Sequence, residues 1–193
     1  MSTPYLKTSE TALLLQVKSD LERHEGFREF AYPDPLSKLF KKYPKLPWGF
    51  KPAREIAPKD ANLEDGKPWT VGFGFTHGVT ADSRITRITA ERLLEQKILD
   101  MNESLGHALA TWYKDATTIT KGVLINMAFN MGQAGLLKFR NTLGYMKAKN
   151  YTQAAANMRL SLWYKQVKKR AEELARRIET QEIEAAHKAP EKL

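Results

Sequence analysis

The chain has 193 residues, 42% hydrophobic, 10% aromatic and 27% charged, with glycine and proline scattered rather than massed; this excludes a collagen-like fibre, a low-complexity linker and a disordered tail. No cysteine is present, which excludes a disulfide scaffold, a thiolate zinc site, an iron–sulfur cluster and a cysteine nucleophile. Lys and Arg number 31 against 22 Asp and Glu, and the resulting charge of +9 suits contact with a polyanion such as nucleic acid, phospholipid or a negatively charged cell wall.

Leu14, Val17 and Leu21 recur at helical spacing, and Gly26 offers a stop after Glu25, so a helix is expected over 9–25. The longest apolar run, Ala12 to Leu15, is far too short to span a bilayer, and no charged–apolar–small pattern opens the chain, so an export signal is not expected. From Pro33 to Pro68 no period is sustained. Trp69, Val71, Phe73 and Phe75 alternate with Thr70, Gly72, Gly74 and Thr76, which reads as a strand. Thr89 is a plausible N-cap for a long amphipathic helix over 89–112 carrying Leu93, Leu94, Ile98, Met101 and Leu105. Further helices are expected from Val123 to Met131, stopping at Gly132, from Leu136 to Met146, and from Tyr151 to Leu162. A last helix places Val167, Ala171, Leu174 and Ile178 on one face and carries Lys168, Lys169, Arg170, Arg176 and Arg177.

Several specific-sounding motifs fail. His24-Glu25 begins like a helical zinc site, but Arg28 stands where the second His belongs. Gly72, Gly74 and Gly78 lack the dinucleotide spacing, and no Walker or Gly-x-Ser-x-Gly sequence occurs. What remains is a pair of carboxyls. Glu25 continues the Leu14–Val17–Leu21 face at the negative end of its helix, where desolvation and the dipole both favour the protonated form a general acid needs. Asp34 lies between two prolines, which favour an extended, solvated and ionised setting. Two carboxyls in opposed environments are what glycosidic cleavage requires. Thr70 shares a strand face with Gly72 and Gly74, which leave room for a sugar or a water.

The strings themselves carry more. His24-Glu-Gly-Phe-Arg28, Ala31-Tyr-Pro-Asp34 and Trp69-Thr-Val-Gly-Phe-Gly-Phe-Thr76 resemble the opening of the phage lysozyme family, glycoside hydrolase family 24. Leu124-Ile-Asn-Met-Ala-Phe-Asn-Met-Gly132 is similar to a helix of the T-even phage lysozymes; so are Phe139-Arg-Asn-Thr-Leu143, Ala154-Ala-Ala-Asn157, Ser161-Leu-Trp-Tyr164 and Arg170-Ala171. The resemblance covers residues 13 to 180. It implies that Glu25 is the catalytic acid, that Asp34 positions or activates the attacking water, and that Thr70 holds that water from the other side. It also implies that Phe129, Thr142 and Asn157 line the saccharide cleft and that Arg170 positions the acid. Two departures stand out. Phe75 replaces the family's usual His, with His77 two residues further on, and the step from Asp34 to Thr70 is 36 residues. Asp60 and Asp65 are therefore alternatives to Asp34, which is kept because Tyr32 precedes it and its distance from Glu25 is unbroken.

By this resemblance the fold is α+β and lysozyme-like: a single domain over 1–193, with a small strand-containing lobe over 26–85 that includes an insertion at 35–68. A linking helix over 89–112 leads to a larger helical lobe over 115–187. The implied activity is hydrolysis of the β-1,4 bond between N-acetylmuramic acid and N-acetylglucosamine in peptidoglycan. A phage endolysin of this kind lyses its host with inversion, two carboxyls about 6.5–9.5 Å apart leaving room for water. No metal or organic cofactor is implied. The implied setting is the host cytoplasm, with access to the wall through a separate pore. The expected partners are peptidoglycan and an anionic wall or membrane surface, with no nucleic acid, for a monomer. The rivals are a lytic transglycosylase, a membrane-permeabilising protein acting through the basic final helix, and, least favoured, a nucleic-acid-binding domain. In the insertion, Lys38, Lys41, Lys42, Lys45, Lys51 and Arg54 occur with no acidic residue from Leu36 to Arg54. Two readings stay open: a substrate-binding rim with Trp48 stacked on a sugar, or cover for the small lobe by Leu39, Phe40, Trp48 and Phe50.

Overall fold

A computed structural model describes residues 8–188. The described chain is mostly helical with one two-stranded antiparallel sheet, the α+β class expected. It forms two compact units, Leu21–Gln96 and Met1–Asp20 with Lys97–Leu193, the division falling inside two helices. Among the described residues no helix is long and apolar enough to cross a membrane.

The first helix, α1 (Thr8–Glu25), buries Leu13, Val17 and Leu21, so Leu13 rather than Leu14 belongs to the buried stripe. It stops at Gly26, which sits at φ +67° and donates its N–H to Glu22 O at 3.1 Å. In the small unit, β1 (Arg28–Pro33) pairs with β2 (Trp69–Gly72), setting Arg28 opposite Gly72, Tyr32 opposite Thr70 and Pro33 opposite Trp69. The strand expected through Thr76 is shorter than its alternation suggested. Gly72 (φ +67°) and Gly74 (φ +93°) turn the chain, and Val71 and Phe75 exchange backbone hydrogen bonds of 2.9 Å across that turn. Phe73 is buried inside the turn, its ring 5.6 Å from Phe27.

Between the strands the chain is not featureless. Helix α2 (Lys38–Lys42) is capped by Ser37, whose Oγ accepts Phe40 N–H at 3.1 Å; α3 (Ala53–Ile56) and a 3-10 turn (Leu63–Gly66) follow. Leu39, Trp48 and Ala53 are buried together with Ala31, Trp69 and Ala81. Trp48 meets Trp69 edge-on at 6.2 Å and donates its Nε1–H to Tyr43 O at 2.9 Å. The insertion is thus part of the small unit's core, and Trp48 is not a free stacking platform. Phe50, by contrast, is exposed.

Helix α4 (Arg87–Ala108) starts two residues before the expected N-cap, because Thr86 Oγ1 accepts Thr89 N–H at 3.2 Å. It also ends early: Ala110 at φ +58° breaks the chain before α5 (Thr111–Lys114), so Trp112 is not in the long helix. Helix α6 (Thr118–Met131) stops at Gly132 as expected and buries every residue from Val123 to Ala128, the mark of a central helix. The single helix expected over 136–146 is two, α7 (Gln133–Leu136) and α8 (Arg140–Lys147). After α9 (Tyr151–Leu160) and α10 (Leu162–Val167), Lys168 takes φ +42° and a new helix begins, α11 (Lys169–Lys188). Val167 therefore precedes that break, while Ala171, Leu174, Ala175 and Ile178 form the buried stripe.

The outer face of α11 is less available than its cations suggested. Arg176 pairs with Glu172 at 2.8 Å, and Arg177 pairs with Glu173 at 2.7 Å and with the buried Asp20. Arg159 of α9 bridges Glu172 at 3.0 Å and Glu179 at 2.9 Å. The Arg159 and Arg176 guanidiniums lower Glu172 from 4.5 to about 2, and Arg159 lowers Glu179. A depressed carboxyl contributes stability that is complete above its unfolded value and lost as pH falls through the folded one. The melting temperature of Arg159→Gln should therefore lie below the parent's at pH 6, and the gap should close between about pH 4.5 and about pH 2. Thermal melts across that range check this; a gap independent of pH would mean that the ion pairs contribute nothing.

Candidate active site

Three of the expected site residues, Glu25, Asp34 and Thr70, belong to the small unit, each on a different local structure. Glu25 is the last residue of α1 and is half-buried. A Cβ on Gly74 would lie 3.9 Å from Glu25 Oε2, so the carboxyl stands beside the turn that closes β2. That turn needs glycine at 74 for its φ of +93°. Below it, Phe27 and Phe73 pack together, and the Arg87 guanidinium lies 5.7 and 5.8 Å from their rings.

Asp34 directly follows β1. Its N–H donates to Gly66 O and Pro68 O at 3.2 and 3.1 Å, which fixes it at the end of the two-stranded ladder. Its Oδ1 accepts Leu36 N–H at 2.6 Å, and Ser37 N–H donates to its carbonyl at 2.9 Å. Oδ2 has no hydrogen-bond partner among the described residues. Asp60 and Asp65 are exposed, and their charges act on Lys42. Asp34 alone of the three adjoins the strand that pairs with the Thr70 strand.

Thr70 is half-exposed, on the opposite face of β2 from the buried Trp69 and Val71. Its cross-strand partner is Tyr32. Burial holds the Tyr32 phenol above its ordinary range and the Glu25 charge pushes it the same way, while the Arg28 charge acts against them. Tyr32 thus stands in the field of Glu25 and opposite Thr70. Sequence reasoning used Tyr32 only as a spacing marker; its alternation with Asp34 on one strand face was the available signal. Arg28 is the second residue missed. It donates to Phe27 O at 3.1 Å, and its guanidinium lies 4.3 Å from the Phe50 ring. Its stem presses on Gly49, where a Cβ would come within 2.7 Å of Arg28 Cδ. Phe75, in the family's His position, packs on Gly72, and His77 is exposed.

Phe129, Thr142, Asn157 and Arg170 belong to the helical unit. Thr142 is buried and donates its hydroxyl to Asn157 Oδ1 at 2.8 Å, which directs the amide Nδ2 of the half-buried Asn157 away from Thr142. Phe129 is half-buried rather than core, with Lys97 Nζ 4.6 Å from its ring. Arg170 donates to Asn126 Oδ1 at 2.8 Å and to Asn126 O at 3.2 Å. Asn126 is buried, and its Nδ2 has no protein partner among the described residues.

The family model for phage lysozyme matches residues 49–181. The chain belongs to the phage lysozyme family. A probable T4-type lysozyme 1 of Dictyostelium discoideum is 32% identical over 115 residues, 56% of this chain and 68% of that protein. A peptidoglycan hydrolase, gp36 of Pseudomonas phage phiKMV, is 30% identical over 133 residues, 68% of this chain and 15% of that much longer protein. The lysozyme match takes in Thr70, Phe129, Thr142, Asn157 and Arg170 and begins after Glu25 and Asp34. Glu25 therefore rests on its own string and its place beside Gly74, and Asp34 on its string and its backbone hydrogen bonds to Gly66 and Pro68.

Proposed function

We propose that this glycoside hydrolase cuts the β-1,4 bond between N-acetylmuramic acid and N-acetylglucosamine in peptidoglycan, with inversion, as a phage endolysin. The observation that carries the reading is the arrangement around β2. Glu25 stands at its closing turn, Asp34 is tied to the neighbouring strand, and Thr70 lies on the ladder with Tyr32. Glu25 gives its proton to the departing glycosidic oxygen. Asp34 engages one oxygen with Leu36 N–H and has Oδ2 to accept a proton from the attacking water. Thr70 orients that water from its place opposite Tyr32 on the ladder. As water adds to the anomeric carbon from the face opposite the leaving oxygen, a β bond becomes an α hemiacetal.

By the family resemblance Phe129 and Asn157 are assigned to the saccharide and Thr142 to the orientation of Asn157, while Arg170 holds Asn126 within the helical unit. The protein reaches the wall from the host cytoplasm through a separately made pore. Digestion of purified sacculi tests the reading, with products followed by mass spectrometry and the anomeric signal by NMR. Expected are muropeptides with reducing N-acetylmuramic acid, formed first as the α anomer. Anhydro-muramyl products would replace this reading with a lytic transglycosylase, and β-first products would overturn inversion.

A further inference from the structure

The segment 36–54 holds six cations and no acid, yet the structure separates them into two groups. Arg54 pairs with Asp82, Nη2 to Oδ2 at 2.8 Å, and Lys42 lies 5.1 Å from the Tyr43 ring within the field of Asp60 and Asp65. Lys38, Lys41, Lys45 and Lys51 are exposed, and none forms an ion pair among the described residues. Their backbone is held at several points. Leu39, Trp48 and Ala53 are buried, Ser37 N–H is bound to Asp34 O, and Phe30 N–H donates to Gly49 O at 3.1 Å. The four ammonium groups therefore extend from a fixed frame that begins at one proposed catalytic residue and returns to the strand of another.

We propose that Lys38, Lys41, Lys45 and Lys51 form a docking surface for the carboxylates of peptidoglycan stem peptides. This rests on the substrate class proposed above. Compact ammonium groups on flexible stems suit pendant carboxylates whose positions vary along a polymer. Lys38 and Lys41 stand three residues apart on α2, neighbouring positions of one helix face, and charges closer than about one Debye length, roughly 8–10 Å, act together on an anionic strand. A lipid surface fits less well. Interfacial binding needs a continuous apolar face beside the cations; the segment exposes Leu36 and Phe50, two side chains rather than a stripe, the Phe50 ring carries the Arg28 guanidinium, and Leu39 and Trp48 are buried in the core. A nucleic acid would want free aromatic platforms, and Trp48 is buried against Trp69.

The test measures binding without turnover, in a Glu25→Gln background. Lys38→Gln, Lys41→Gln, Lys45→Gln and Lys51→Gln are combined, and a second variant replaces the same four by Arg. Intact sacculi are compared with glycan strands stripped of stem peptides by an amidase and with phosphatidylglycerol vesicles. At about 50 mM salt the Gln variant should bind intact sacculi about tenfold more weakly than its parent, the difference vanishing by about 0.5 M. The Arg variant should bind like the parent, and binding to stripped strands should be alike for all three. With Glu25 restored, turnover of stripped strands should be unchanged. Equal affinity of Gln variant and parent for intact sacculi overturns the proposal, as does an equal loss on stripped strands. Tighter parent binding to vesicles than to sacculi overturns it in favour of a lipid partner. Failure of the unmutated parent to bind or cut sacculi would instead defeat the substrate class itself.

Discussion

Replacing Glu25 by Gln should lower hydrolysis of sacculi by at least about a hundredfold while leaving the melting temperature and wall binding near those of the parent. The substitution keeps the shape of the side chain at the end of α1. Gly26 still donates to Glu22 O, and the turn at Gly72–Gly74 meets a group of the same size. What is lost is the proton. A glycosidic oxygen leaves poorly as an alkoxide, so the general acid carries a large part of the barrier reduction. Turnover is read from released reducing ends, and folding from thermal melts of the same preparations. Near-parent turnover by a folded Glu25→Gln protein would remove Glu25 from its role. A lost melting transition would show that the carboxyl supports the fold, and sacculus binding by the remaining folded fraction then separates the two effects.

The legible parts of this fold were those set by neighbours in sequence. Gly26 and Gly132 end their helices at the expected residues because a left-handed or otherwise positive-φ position after a helical run needs glycine. The breaks at Ala110 and Lys168 carry no such mark: neither is glycine, yet both sit at positive φ, so tertiary packing overrides local preference there. The pattern over 69–76 has the alternation of a strand, but its glycines also permit a tight turn, and the turn prevails after Gly72. The ion pairs that occupy Arg176 and Arg177 were readable as Glu172→Arg176 and Glu173→Arg177 at helical i,i+4 spacing.

The site divides along the same line. Glu25 and Asp34 lie in short strings at intact spacing, Thr70 lies in a string of its own, and all three belong to the small unit. Tyr32 acquires its role only when β1 meets β2, and Arg28 only when Gly49 and Phe50 return from the insertion. Contacts of that kind have no local pattern. The insertion itself was illegible as structure because its buried residues, Leu39, Trp48 and Ala53, are separated by irregular backbone rather than repeated at any period.

That arrangement fixes what Trp48→Ala should do. Trp48 is 5% exposed, packs edge-on against Trp69 and donates to Tyr43 O, so truncation removes a large buried ring and leaves Tyr43 O with the long 3.4 Å hydrogen bond from Leu46 N–H. The expected cost is about 3–5 kcal/mol. For a chain of this size each kcal/mol moves the melting temperature by about 2–4 °C, so a fall of roughly 6–20 °C should appear in the transition that involves the small unit. Phe50→Ala serves as the comparison, because Phe50 is 62% exposed and loses mainly its contact with Arg28. It should cost about 1 kcal/mol or less. Calorimetry of both variants beside the parent measures the difference, and near-UV circular dichroism shows whether the Trp48–Trp69 environment is the part that melts. Parent-like melting of Trp48→Ala would make the insertion a dispensable cover. The expected loss would mean that excising 36–65 removes core side chains of the very unit that carries Glu25, Asp34 and Thr70, and that the shortened chain loses activity through unfolding rather than through a missing rim.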